Sequence, residues 1–142
     1  MSFLKSLDIT GSALTAQRYR MDIIAQNIAN AETTKTKNGD PYRRKQVVLE
    51  EKGFRDVLKG EMVSNRGGGV RVKKVVESEN PFVPVYDPSH PHANEEGYVM
   101  MPNVNKSEEM VDLMAASRAY EANITALGVA KAMAMKALEI GK

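Results

Sequence analysis

The two ends of this 142-residue chain carry helical apolar patterns that no middle stretch shares. Leu7, Leu14, Met21 and Ile28 recur every seven residues, with Leu4, Gly11, Ile24, Ala25 and Ala31 in neighbouring positions. Near the other end Leu113, Tyr120, Leu127 and Ala134 repeat the same interval, supplemented by Met110, Ser117, Ile124, Ala130 and Leu138. A seven-residue repeat draws a narrow stripe along a helix, and that stripe needs a facing helix to be buried. The pattern predicts a chain built to pack, with itself and with neighbours, rather than to enclose a substrate.

Large core residues are scarce: three Phe, five Tyr and no Trp. Ala and Met carry much of the apolar content, the first allowing close helix approach and the second adapting to irregular surfaces. That composition favours helix–helix packing over a thick globular core. The formal charge is only +2. The basic runs Arg43-Arg44-Lys45 and Lys73-Lys74 have no interleaved aromatics of the kind that stack single-stranded nucleic acid, so they read as solvated strand faces. The absence of cysteine excludes disulfides, thiolate metal sites and cysteine nucleophiles. No run of about 18 apolar residues is present, so no membrane span is expected. The first residues lack a basic segment followed by an apolar core, so no cleavable secretory signal is expected either.

Three segments follow: an N-terminal helix within residues 1–34, a middle of strands and loops at 35–104, and a C-terminal helix within 105–142. The fold class is α+β, with a small hairpin- and loop-rich middle between two long helices. The first helix spans 3–30, about 40 Å, and Gly11 within it costs roughly 1 kcal/mol against Ala. Asn38-Gly39-Asp40-Pro41 is a cluster of breakers beyond its end. In the middle, 43–51 is a strand with Val47 and Leu49 on one face and Arg44, Gln46 and Val48 on the other. A helical turn is expected at 53–61, then a flexible Gly67-Gly68-Gly69 connector. Residues 70–77 form a second strand, whose alternation breaks at Val75-Val76 and suggests a bulge. Pro84 restricts 80–86 to an edge strand or an extended segment; 87–97 is a loop, and 98–101 a last short strand. The second helix starts at Asn105, whose spacing to Glu108 is that of a capping box, and runs roughly 50 Å.

Chemistry-bearing constellations are few. His90 and His92, with Asp87 nearby, lack further His or Cys ligands and read as a polar turn rather than a metal site. The triple glycine is not followed by the Lys-Ser/Thr of a phosphate loop. No metal, cofactor or catalytic group is expected, and the chain does not read as an enzyme. Asn27 and Asn30, three apart, share a helix face; they fit either an ordinary C-cap or a polar contact between packed helices, and spacing alone does not choose. Asn123 lies one turn from Tyr120 and Leu127, beside the apolar stripe, where a polar side chain can fix register between helices.

Residues 14–34, with Gln26-Asn27-Ile28-Ala29-Asn30-Ala31-Glu32 near their end, closely resemble the N-terminal motif of the flagellar basal-body rod and hook proteins. Arg118-Ala119-Tyr120-Glu121-Ala122-Asn123, leading into the Ala- and Met-rich end, resembles their C-terminal motif. Residues 85–105, with Asp87-Pro88-Ser89-His90-Pro91-His92 at their start, resemble the segment that marks the short proximal-rod members. The resemblance implies an antiparallel coiled coil of the two helices, stacked into a helical tube around an export channel, with the middle segment outside and gripping adjacent subunits. It implies a structural subunit that transmits torque from motor to hook. The implied partners are other rod proteins, copies of itself, and ring or export-gate components of the basal body, with no nucleic acid and no membrane insertion. It also implies a periplasmic location reached unfolded through type III export. The residues expected at the assembly interface are Leu7, Leu14, Met21, Ile24, Ile28, Leu113, Ile124, Leu127 and Leu138. Asn27, Asn30, Tyr120, Glu121 and Asn123 are expected there as orienting polar contacts. A rod or needle component of a related type III secretion system shares the two-helix logic but typically lacks the two Asn-containing motifs.

Overall fold

A computed structural model describes residues 3–52 and 68–140. The expected turn at 53–61, and Gly67 of the glycine connector, lie outside them. Helix α1 (Phe3–Ala29) is followed by strands β1 (Lys45–Glu51), β2 (Val70–Glu77), β3 (Val83–Tyr86) and β4 (Tyr98–Met101), and the chain closes with helix α2 (Lys106–Ile140). Both helices match their expected spans to within a residue or so at the described ends.

The helices pack against each other and run antiparallel. Asn27 meets Glu109 near the end of α1 and the start of α2, and one to two turns further along Arg20 lies 3.8 Å from Asp112. Ala16 and Ala116 are both buried, and their small side chains let the two axes approach closely. At the head of α2, Asn105 caps the helix through a different amide from that of the expected box with Glu108: its side-chain oxygen accepts from the Ser107 amide at 3.0 Å.

The inner rows of α2 differ from the expectation by one residue. Leu113, Tyr120, Leu127 and Ala134 are half-buried, and the row beside them is Glu109, Ala116, Asn123 and Ala130. Of the residues read from sequence as supplementing the stripe, Ser117 and Ala130 are half-buried, whereas Met110, Ile124 and Leu138 are exposed, the last two at 48% and 75%. Either row is adjacent to Leu113 on a helix. Close approach selects the row with two alanines over the row with Met, Ile and Leu. Asn123 therefore sits within the packed stripe rather than beside it, and its amide donates to the Ala119 carbonyl of its own helix at 2.8 Å. Inside the subunit it sets no register between α1 and α2.

The sheets are two antiparallel pairs, β1–β2 and β3–β4. Register in the first runs from Lys45 opposite Glu77 to Glu51 opposite Val70, with a shift between Val48 and Leu49 that leaves Lys73 without an opposite. The bulge explains the broken alternation seen in sequence: by inserting Lys73 it returns Val75 to the face that holds Val70 and Val72. The break lies two residues earlier than the Val75-Val76 pair that betrays it. Val47 and Leu49, opposite Val75 and Val72, share that face, which lies toward α1. The hairpin runs back along the helix, from Lys45 beside Asn27 to Val70, whose amide donates to the Ser12 hydroxyl at 3.0 Å. Seven strand residues span roughly 23 Å, and the helix from Asn27 to Ser12 spans about the same. The lengths match.

Gly69 makes this approach possible. Its φ is +108°, and a Cβ there would meet the Ser12 hydroxyl oxygen at 2.6 Å. Only glycine meets both demands without strain.

Candidate functional site

The densest group of interactions lies where α1 ends, α2 begins and β1 starts. The chain arrives there because the breakers expected after α1 fold into a tight turn: the Thr36 amide donates to the Asp40 carbonyl at 2.8 Å and the Gly39 amide to Thr36 at 3.0 Å. The Tyr42 amide then donates to the Thr33 carbonyl at 3.1 Å, returning residues 42–45 beside the helix they left.

Asn27, only 1% exposed, is the hub. Its amide nitrogen donates to the Lys45 carbonyl and to the Glu109 carboxylate, both at 2.8 Å. Its oxygen accepts from the Tyr42 hydroxyl and the Lys45 amide, both at 2.9 Å. Two donors and two acceptor sites are the full capacity of an Asn side chain, and all four are used. Glu109, also 1% exposed, takes a charge-assisted bond on its other oxygen from the Arg44 Nε. Arg44 reaches onward to Asp112 at 3.2 Å, which in turn faces Arg20. The Arg44 amide donates to the Asn103 side chain at 2.8 Å, and Asn103 donates to the Asn80 carbonyl at 2.9 Å. Five stretches of chain meet here through side chains that satisfy one another. Burial, followed by the charges of Glu109 and Glu77, pushes the Tyr42 phenol above its usual range.

Arg44 thus departs from its expected role on a solvated strand face. A buried carboxylate needs a cation and hydrogen bonds, and Arg44 supplies both. Arg43 also has a specific place, its guanidinium 4.4 Å from the centre of the Phe82 ring. The two asparagines expected to share a role separate: Asn30 bonds the Gln26 carbonyl at 2.8 Å, an ordinary helix-end contact, while Asn27 joins the junction. Tyr42, Arg44, Glu109 and Asp112 were not picked out by sequence reasoning. The available signal was the position of Glu109, seven residues before the alanine at 116 that faces α1.

The other expected interface residues fall into two groups. Ile24 is buried, and Leu7, Leu14, Met21, Ile28, Leu113, Tyr120 and Leu127 are half-buried. Glu121, Ile124 and Leu138 are exposed. His92 lies 2.9 Å from the Thr34 hydroxyl, and the His92 amide donates to the His90 ring at 3.1 Å. Among the described residues no three His, Cys, Asp or Glu side chains are grouped to hold a metal. The Ser89 hydroxyl and amide both bond Asp87, holding its carboxyl below the usual range.

Residues 7–35 match the family model of the flagella basal body rod protein, and 95–140 match that of the flagellar basal body rod FlgEFG protein C-terminal region. The chain is 51% identical to the flagellar basal-body rod protein FlgC of Bacillus subtilis, over the whole of both chains. It is 44% identical to FlgC of Salmonella typhimurium, again over the whole of both, and 40% identical to FlgC of Borreliella burgdorferi over 99% of this chain and 98% of that one.

Proposed function

Since the chain belongs to the FlgC family of flagellar basal-body rod proteins, structural subunits of the basal body rather than enzymes, we propose that it assembles helically with copies of itself and with other rod proteins. In that assembly it surrounds an export channel in the periplasmic space and carries torque from motor to hook. The two helices form an antiparallel coiled-coil core, and the middle segment is the outer grip on neighbouring subunits.

One observation carries this reading. On the side that α1 leaves bare, helix α2 exposes Met110, Val111, Met114, Val129 and Met133, interspersed with Arg118, Glu121 and Lys136. Exposed apolar side chains in this number on one helix mark an interaction surface. No described helix is long and apolar enough to cross a membrane. Neighbouring protein therefore accounts best for the bare side. A filament also needs unlike, complementary surfaces that do not close into a ring, and the bare face of α2 supplies one of them.

The test is loss and rescue. Cells lacking this chain should make basal bodies without a complete rod and should not swim, and the wild-type chain should restore both. Complete rods in its absence, seen by electron microscopy of purified basal bodies, would refute the proposal.

A further inference from the structure

Two exposed surfaces at opposite ends of the molecule complement each other. The first is the outer face of the β3–β4 pair. Register places Pro84 opposite Met100 and Tyr86 opposite Tyr98, and side-chain alternation puts these four residues on one face. All four are exposed, Tyr86 at 66%, and the two tyrosine rings meet edge to face with centroids 5.3 Å apart. Between 80 and 101 the only formally charged residues are Asp87, Glu95 and Glu96, and one cation from elsewhere, Lys35, lines the groove beside Tyr98 and Met100.

The second surface is the far part of α2. Ile124, Gly128, Lys131, Met135 and Leu138 follow one another at intervals of four and three, which aligns them in a stripe. All are exposed. Between 124 and 138 the only charged residues are Lys131 and Lys136, and Lys136 is paired with Glu139 at 2.7 Å, which leaves Lys131 as the charge of the stripe. One surface is aromatic with carboxylates at its rim, the other aliphatic with a lysine at its centre.

They cannot meet within one subunit. β4 leads into the start of α2, and the run from Lys106 to Met135 is about 43 Å of helix. We propose that the 124–138 stripe of α2 docks onto the Pro84/Tyr86/Tyr98/Met100 face of a second copy of this chain, with Lys131 beside Glu95 and Glu96. Met135 packs against the tyrosine edges, a favourable sulfur–aromatic contact, and Lys131 pairs with the carboxylates at the rim. The contact is head-to-tail, so it propagates rather than closes. It deepens the rod reading above and rests on it, naming which surface of a neighbour covers this part of the bare helix.

The chain has no cysteine, so introduced thiols are unique labels. In purified basal bodies treated with a short bismaleimide, the double variant Met100→Cys/Met135→Cys should give a ladder of multimers of this chain. Each single variant should stay monomeric. Lys131→Glu in the double-cysteine background should lower the multimer yield by about three- to fivefold, as expected for a rim ion pair. Adding Glu95→Lys and Glu96→Lys should restore it. Basal bodies that contain the chain but yield no multimers would overturn this contact and leave the rod assignment standing. So would dimers from Met135→Cys alone, or a cross-link to a different protein. Absence of the chain from basal bodies would overturn both.

Discussion

Asn27 spends its whole hydrogen-bonding capacity on three residues, Tyr42, Lys45 and Glu109, from two distant parts of the chain, and that makes single substitutions at the junction costly. Glu109→Ala leaves the Arg44 Nε and one Asn27 donor without a partner in a poorly solvated place, while the other arm of Arg44 keeps Asp112. A loss of about 2 kcal/mol is expected, since buried donors left unsatisfied cost more than the bonds contribute. A downward shift of the urea midpoint checks it, and an unchanged midpoint would mean that water reaches the carboxylate freely. Tyr42 gives the junction a pH dependence of definite sign. Its phenol is held above the ordinary value of 10.0, first by burial and then by the charges of Glu109 and Glu77. A raised acid keeps its proton in the folded state after the unfolded chain has lost it. The stabilisation is therefore complete below pH 10 and falls away as pH rises through the folded value. Stability should decline on the alkaline side, and Tyr42→Phe should remove that part of the decline while losing about 1 kcal/mol at neutral pH for the bond to Asn27. By contrast, His90 and His92 sit in a polar loop with one exposed contact to Thr34. Changing both to Ala should leave swimming and the unfolding midpoint nearly as they are.

At the scale of elements, the β1–β2 pair is tied to α1 at both ends, by Asn27 at one and by Ser12 at the other. Gly69→Ala places a Cβ against the Ser12 hydroxyl and forces a positive φ on a residue that resists it. The hairpin should lose its anchor at that end by 1 kcal/mol or more. Faster amide exchange through Val70 and Val72, with the Asn27 end still protected, would show it; uniform protection would mean that Ser12 simply rotates away. In α2, Leu127 lies half-buried in the stripe that faces α1. Leu127→Asp introduces an unpaired charge there, at a cost of several kcal/mol on complete burial. Expression should persist while rods and swimming are lost. Normal swimming would place Leu127 outside any packed surface.

For the whole molecule, order should follow burial. The start of α2 is held by the junction, whereas from 124 onward most side chains are exposed. In the isolated subunit, amides around 109–120 should exchange slowly and those around 128–138 quickly, because long helices lacking a packed face are marginal. In assembled rods both stretches should be protected. Strong protection of 128–138 in a confirmed monomer would show that the far half needs no neighbour.

Periodicity by itself determined that this chain has two long helices around a strand-and-loop middle. The seven-residue repeat, the breakers after α1 and the cap at Asn105 are local signals, read from residues a few positions apart. The break in alternation near Val75 likewise announced a bulge. The motifs around Asn27 and Tyr120 pointed to the flagellar rod family. Tertiary structure alone decided which row of α2 is covered, because Met110 and Glu109 are equally adjacent to Leu113 and only close approach of a second helix separates them. It also decided that Arg44, a basic residue in a basic run, completes a buried carboxylate site. That pairing spans 65 positions of sequence, and no local pattern records which distant charge a buried Glu109 will need.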